Sequence, residues 1–322
     1  MDEIIEYGSI EAIPRYNCSG HSSEMWTEFF EVRHPIIGTF DVLFGFIINI
    51  LYIPILAVMY QPMYFKMSCF KIMIFLGVID MLALYVNSII TGVLAIQGTV
   101  WCTFPNFNYI VGMIILRLWC CSCCSALMLV ANRLMDLTKP QWAMIWFEGN
   151  RTYIALAVSV MYGLYFTLFT NPVGFNSKYY TWLFDPIIDR NPSADYHNIA
   201  HSINNLLVVA VTCILYTWLY VVIGEQIRMS TRATQRQNLS LQILVQSTMI
   251  CSINLVASCV FVLMNFVELP IWVIIVTHKA WQFIHGAPVI IYLTLNKTIR
   301  SGVLKKLQSD IKIYRSRSVA PQ

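Results

Sequence analysis

The sequence predicts an all-α membrane protein. It is a seven-transmembrane helix bundle with its N-terminus outside, its C-terminus in the cytoplasm and a short amphipathic helix after the seventh span. Three observations predict this. Charge is scarce: 21 Lys and Arg and 17 Asp and Glu make up 12% of 322 residues, about half the share in an average soluble domain, and mean hydropathy is +0.62. The charges are also bunched, leaving 42–65, 81–116, 152–177, 196–224 and 237–267 free of Asp, Glu, Lys and Arg. Finally, the cationic side chains are lopsided once spans are drawn, with fifteen facing one side and four the other.

A helix needs about 20 apolar residues to cross the hydrocarbon core, and satisfies its own backbone groups there. The uncharged stretches supply these lengths. Turn residues Gly98, Cys102, Pro105, Asn106 and Asn108 divide the second stretch in two,. A further apolar run at 272–295 contains Lys279 and Pro288. The expected spans are 36–60, 70–96, 106–133, 153–170, 199–224, 240–266 and 271–295. The chain divides into an extracellular tail (1–35), the bundle (36–295) and a cytoplasmic amphipathic helix with a basic tail (296–322). The first 35 residues hold seven acids and no apolar leader core, so the first span is expected to act as the insertion signal,. The excess of Lys and Arg puts the C-terminal side in the cytoplasm. A net charge of +4 gives no support for nucleic-acid binding.

On the outer side, Asn17-Cys18-Ser19 is a candidate glycosylation site,. Cys18 is the one outer candidate to pair with Cys102; a disulfide and two free thiols both remain open. Cys120, Cys121, Cys123 and Cys124 resemble a metal motif, but adjacent helical residues point about 100° apart and cannot converge on one ion. His197 and His201 have a zinc-compatible spacing but bring no third ligand or base, and no catalytic motif is present,. No metal, cofactor or catalytic residue is expected.

Polar groups inside spans are costly and face the bundle interior. Asn49, Asp80 and Asn87 form the expected mid-bundle network, since Asp80 and Asn87 are seven residues apart on one face of span two. Arg117 in span three and Lys279 in span seven each need a partner or a hydrated cavity; Asp41 is a candidate partner for Lys279. Pro54 and Pro288 kink spans one and seven. Arg228, Arg232 and Arg236 form a basic stripe continuing span five. Ile299, Val303 and Leu307 repeat at the same spacing after span seven, as in a helix lying on the inner leaflet,.

Local strings then bring a family into view. Asn132-Arg133-Leu134 resembles the arginine motif ending span three of rhodopsin-like receptors, with Asn132 in place of the acid. Pro288 and Tyr292 resemble their span-seven motif, with Ala287 in place of the asparagine and the tyrosine one residue late. With "NILYIPILAVM" (49–59), "CFKIMIFLGVID" (69–80), "ANRLMDL" (131–137), "FEGNRT" (147–152) and "HGAPVIIYLTLNKTIR" (285–300), residues 35–308 look like the nematode serpentine chemoreceptors of class T. The resemblance implies a plasma-membrane, multi-pass receptor of a sensory neuron or its cilium. Such a receptor reads a small-molecule ligand and signals through a heterotrimeric G protein, with membrane lipids as surroundings. It implies coupling and activation roles for Asn132, Arg133, Asp136, Arg228, Arg232, Pro288 and Tyr292, with Asp136 as a substitute lock for Arg133. It also implies an outer cavity lined by Arg117, His201, Asn204, His278, Lys279 and Gln282. The competing expectations are a ligand-gated channel, which lacks a pore ring of charge here, and a membrane zinc hydrolase.

Overall fold

Proline opens two of the long helices: Pro35 and Pro105 stand in their first turns, where a missing amide hydrogen costs nothing,. The computed structural model describes residues 2–188, 196–229, 255–256, 258–263, 267 and 269–318. Among these, five helices are long and apolar enough to cross a membrane: span one (Pro35–Met59), span two (Ser68–Gln97), span three (Pro105–Thr138), span four (Arg151–Phe169) and span five (Ile199–Val222, its helix continuing to Met229). A further helix, Ile271–Thr294, is the expected span seven and carries Pro288 within it. The expected sixth span, 240–266, lies mostly outside the described residues, as do Arg232 and Arg236. The chain is an all-α membrane protein with several candidate spans.

Two local features set the bundle's register. Residues Tyr85–Ile90 form a π turn within span two, which widens the helix and rotates the remainder of the span about its axis. Gly98 ends the span at φ 75°, a conformation glycine adopts without cost,.

The segment expected as a plain loop at 171–198 instead holds a small antiparallel hairpin, β1 (Gly174–Asn176) with β2 (Thr181–Leu183), pairing Gly174 with Leu183 and Asn176 with Thr181. It is driven into the bundle end: Phe175, Tyr180 and Trp182 are all buried. Asn108 at the start of span three seats it. The Asn108 Oδ1 accepts from Phe175 N at 3.1 Å, and its Nδ2 donates to the carbonyls of Trp101 and Phe104, both at 3.2 Å. Trp182 Nε1 donates to Thr91 Oγ1 on span two at 2.8 Å.

The seat leaves no room beneath it. A Cβ at Gly112 would lie 1.7 Å from the Val173 carbonyl oxygen. Backbone cannot swing aside as a side chain can, so Gly112→Ala is expected to lift the hairpin and cost about 1–3 kcal/mol. Thermal unfolding of the purified protein checks this, and an unchanged midpoint would mean the hairpin is not seated as described.

The N-terminal 35 residues also fold. Helices Asp2–Tyr7 and Ser23–Phe30 flank a short turn, Pro14–Tyr16. Ile13, Tyr16 and Trp26 pack with Trp101, Tyr109 and Met113, making a cap over the hairpin end where a free tail is expected. Ser22 caps the second helix, accepting from Met25 N,.

At the opposite end, Asn296 Oδ1 accepts from Ile299 N and starts the terminal helix Lys297–Ser318,. Its apolar stripe departs from the expected lipid contact. Ile299 and Val303 are buried in a cluster with Tyr52, Ile55 and Val58 of span one, and only Leu307 of the three is exposed. Protein packing covers two thirds of the stripe assigned to the leaflet.

Candidate functional site

Two features occupy the hairpin end, one apolar and one polar. The apolar one is a cavity of about 510 Å³. Span three contributes Ile115, Leu116 and Trp119; span seven contributes Trp281; the hairpin segment contributes Tyr179, Trp182, Leu183 and Phe184. Tyr196, Phe261 and His201 complete most of the wall, with Asp185 and His197 as further polar groups. A mostly aromatic cavity of this size with few polar groups suits a small organic molecule. No group of three His, Cys, Asp or Glu side chains placed to hold a metal ion stands together among the described residues.

The wall is held from behind. Trp119 Nε1 donates to Asn205 Oδ1 at 3.0 Å, and Asn204 Nδ2 donates to the same oxygen at 3.1 Å. Tyr162 OH on span four donates to Asn204 Oδ1 at 2.8 Å. Asn204 therefore ties spans four and five behind the wall and is not a lining group.

The polar feature joins spans one, two and seven. Asp41 is fully buried, and Lys279 Nζ pairs with both of its carboxylate oxygens. Asp41 Oδ2 also accepts from Gln282 Nε2 at 2.8 Å and from Tyr180 OH at 2.7 Å. Lys279 Nζ also lies 4.4 Å from the centre of the Tyr180 ring, a cation–π distance,. The carbonyl of Asn87, within the π turn, accepts from Gln282 Nε2 at 2.7 Å and lies 3.0 Å from His278 Nε2. His278 Nδ1 in turn lies 3.3 Å from Thr181 Oγ1 of β2. Tyr180 sits at φ 55°, an uncommon conformation for a bulky residue, at the tight turn between the strands,. Burial, and then the Asp41 carboxylate, hold its phenol well above the ordinary tyrosine range, so it remains a hydrogen-bond donor,.

A second buried carboxylate lies deeper. Asp80 Oδ1 is 2.7 Å from His285 Nδ1, and Tyr52 OH lies between Asp80 Oδ2 at 3.0 Å and the His285 carbonyl at 2.8 Å. The expected network of Asn49, Asp80 and Asn87 is thus rearranged. Asn49 is only half-buried and donates to Gly45 O on its own helix. Asn87 meets His278 and Gln282 through its backbone carbonyl, and Tyr52 and His285 take the places beside Asp80.

Of the six residues expected to line a cavity, the structure places only His201 in its wall. His278, Lys279 and Gln282 point to the Asp41 cluster, because a buried carboxylate gathers the nearest donors. Arg117 faces span four: a Cβ at Gly163 would lie 3.1 Å from Arg117 Cγ. Its half-buried stem packs there, away from the cavity,.

The opposite end holds the other residues singled out. Asn132 Nδ2 donates to Ser68 Oγ on span two at 3.0 Å. Arg133 and Asp136 are half-buried, and their side chains are not within ion-pair distance. Asp136, three residues on, stands beside the arginine without clasping it. Tyr292 is buried near the terminal helix, four residues after Pro288. Arg228 lies in the last turn of the span-five helix. On the cap, Cys18 and Cys102 are disulfide-bonded with Cα atoms 5.5 Å apart. Asn17 is exposed, its Oδ1 accepting from Ser19 N.

Sequence reasoning missed the aromatic wall, Tyr180 and Tyr52. Trp119, Trp182 and Trp281 lie on three separate segments, and no local spacing encodes their convergence.

Comparison with known proteins sets this architecture in a family. The family model described as serpentine type 7TM GPCR chemoreceptor Srt matches residues 3–316. Serpentine receptor class T-55 of Caenorhabditis elegans is 29% identical over 303 residues, covering 91% of this chain and 80% of that protein. Such a match implies a seven-helix fold for the family and sets enzymatic readings aside. The chain belongs to the Srt-type serpentine family of seven-transmembrane G-protein-coupled chemoreceptors.

Proposed function

We propose that this receptor sits in the plasma membrane, at a sensory cilium, with its cap and hairpin outside and its terminal helix in the cytoplasm. Residues 1–35 form the extracellular cap, 36–295 the bundle and 296–322 the cytoplasmic helix and basic tail. A small molecule enters the aromatic cavity, and a heterotrimeric G protein is activated at the far end. The observation that carries this reading is the position of the hairpin. Tyr179 and Trp182 line the cavity, while Tyr180 and Thr181 between them contact Asp41 and His278. A ligand that shifts the hairpin therefore acts on the ion pair between spans one and seven.

Activation is then a population shift. The ligand must bind one arrangement of spans one and seven more tightly than the other, or it shifts nothing. Span seven carries the change past Pro288 to Tyr292 and the terminal helix. Asn132, Arg133 and Asp136, with Arg228 and Arg232, make up the coupling surface. The disengaged Arg133 and Asp136 favour a resting state held by packing more than by a local ion pair. Asn17 is the proposed glycan site on the cap.

The test is a ligand screen read out by G-protein dissociation, repeated on two variants. Leu183→Trp adds bulk to the cavity wall and is expected to raise the half-maximal ligand concentration at least about tenfold, about 1.4 kcal/mol of binding. Arg133→Ala is expected to abolish dissociation while ligand still binds. An unaltered response in Leu183→Trp at normal surface expression would place the ligand elsewhere.

A further inference from the structure

The terminal helix has three faces, read from its spacing. Ile299 and Val303 are buried against span one, and Leu304, Leu307 and Ile311 are exposed and apolar. The third face is polar: Thr298, Ser301, Lys305 and Ser309 succeed one another at three or four residues, so they stack along one side of the helix,. That side is exposed but faces a concavity. It forms one wall of a groove of about 630 Å³, whose other wall is Gln61 and Tyr64 at the end of span one. Tyr64 is held there by stacking on Phe70, ring centres 5.2 Å apart. Lys306 also lines the groove, and among the described residues no Asp or Glu does.

We propose that this groove binds a phosphorylated, multiply anionic headgroup of the kind carried by phosphoinositide lipids. Lysine presents a compact cation suited to phosphate, and the hydroxyls of Thr298, Ser301 and Ser309 are donors with no fixed direction, which phosphate oxygens accept. Arg300 does not line the groove, and its Nη1 donates to the Thr294 carbonyl. The exposed Leu304, Leu307 and Ile311 place the neighbouring helix face toward acyl chains, so a headgroup in the groove has its lipid tails beside apolar side chains,. A basic pocket beside a span differs from a smeared positive surface in this respect: its affinity depends on which lysines are present and not only on how many. The proposal does not depend on what the aromatic cavity binds.

The full chain is reconstituted in phosphatidylcholine nanodiscs doped with phosphatidylinositol bisphosphate or with enough phosphatidylserine to match its charge. Retained lipid is then counted by native mass spectrometry. The expected result is preferential retention of the bisphosphate lipid, reduced roughly thirtyfold in Lys305→Gln/Lys306→Gln. The control pair Lys66→Gln/Lys139→Gln removes the same charge outside the groove and is expected to keep the preference. Equal loss in both pairs, or no loss in the groove pair, overturns the proposal, and a midpoint of unfolding unchanged from wild type shows that the variant is folded. Competition by soluble inositol trisphosphate separates the sources. Displacement of the lipid assigns recognition to the phosphates alone; retention against it assigns the site to the intact lipid; both uphold the phosphate chemistry.

Discussion

Lys279→Leu is expected to destabilise the receptor by about 3–5 kcal/mol, because it strands a carboxylate that has no solvent to return to. Asp41 is fully buried, and its remaining donors would be Tyr180 and Gln282, both neutral. The second half of the expectation separates the ion pair from mere packing. Adding Asp41→Asn to Lys279→Leu removes the stranded charge and keeps an acceptor for Tyr180, so more than half of the loss should return. Thermal unfolding of Lys279→Leu, of Asp41→Asn alone and of the double variant in one detergent, read as a double-mutant cycle, measures this coupling. If Lys279→Leu cost no more than an exposed substitution, or if the double variant were worse than the single one, the pair would not be holding spans one and seven together. Signalling gives an independent reading: with the pair gone, the hairpin keeps its contacts with Asp41 and His278, but spans one and seven lose the charge that links them.

That pair is legible in the sequence, and the reason is physical. A lysine inside a span demands an anion or water, and Asp41 is the acid near the same end of the first span,. The spans are legible for a similar reason. Runs without charge leave little freedom in where a helix crosses, and the described helices differ from the expected bounds by up to five residues. The assignment of faces is where sequence reasoning fails. In a span that is apolar all round, spacing tells which residues share a face and not which neighbour they meet. Arg117 is therefore expected in a cavity, yet its stem lies on Gly163 of span four. Asn49 is expected beside Asp80, yet it satisfies itself on its own helix,. The π turn at Tyr85–Ile90, whose Asn87 carbonyl meets His278 and Gln282, carries no sequence mark. The hairpin escapes notice because strands of three residues are too short to display alternation,. The terminal helix shows the same division: its stripe of Ile299 and Val303 is readable, but that span one covers it depends on the turn at Asn296.

The disulfide should show the other large effect. Cys18 and Cys102 are 84 residues apart, so their bond closes a long loop. In the chain-entropy account, removing it with Cys18→Ser/Cys102→Ser loses up to about 4–5 kcal/mol through the unfolded state alone. The loss should also reach the cavity. Tyr196 lines it and donates from its OH to the Arg15 carbonyl of the cap at 3.1 Å, while its ring lies 6.4 Å from that of Tyr16. Once the cap is untethered, that side of the rim depends on packing of Ile13, Tyr16 and Trp26 on Trp101 and Tyr109 and on hydrogen bonds of Ser23 and Thr27 to Thr103. The expected pattern is a lowered unfolding midpoint together with weaker ligand response, reproduced in the wild-type receptor by reductant and absent when reductant is added to the double variant. The two readouts divide the bond's contributions. A midpoint that falls while the response of the folded receptor is preserved would make the disulfide a tether of the cap alone, with the rim set by the hairpin. A midpoint and a response both equal to wild type would remove the cap from the account of the cavity altogether.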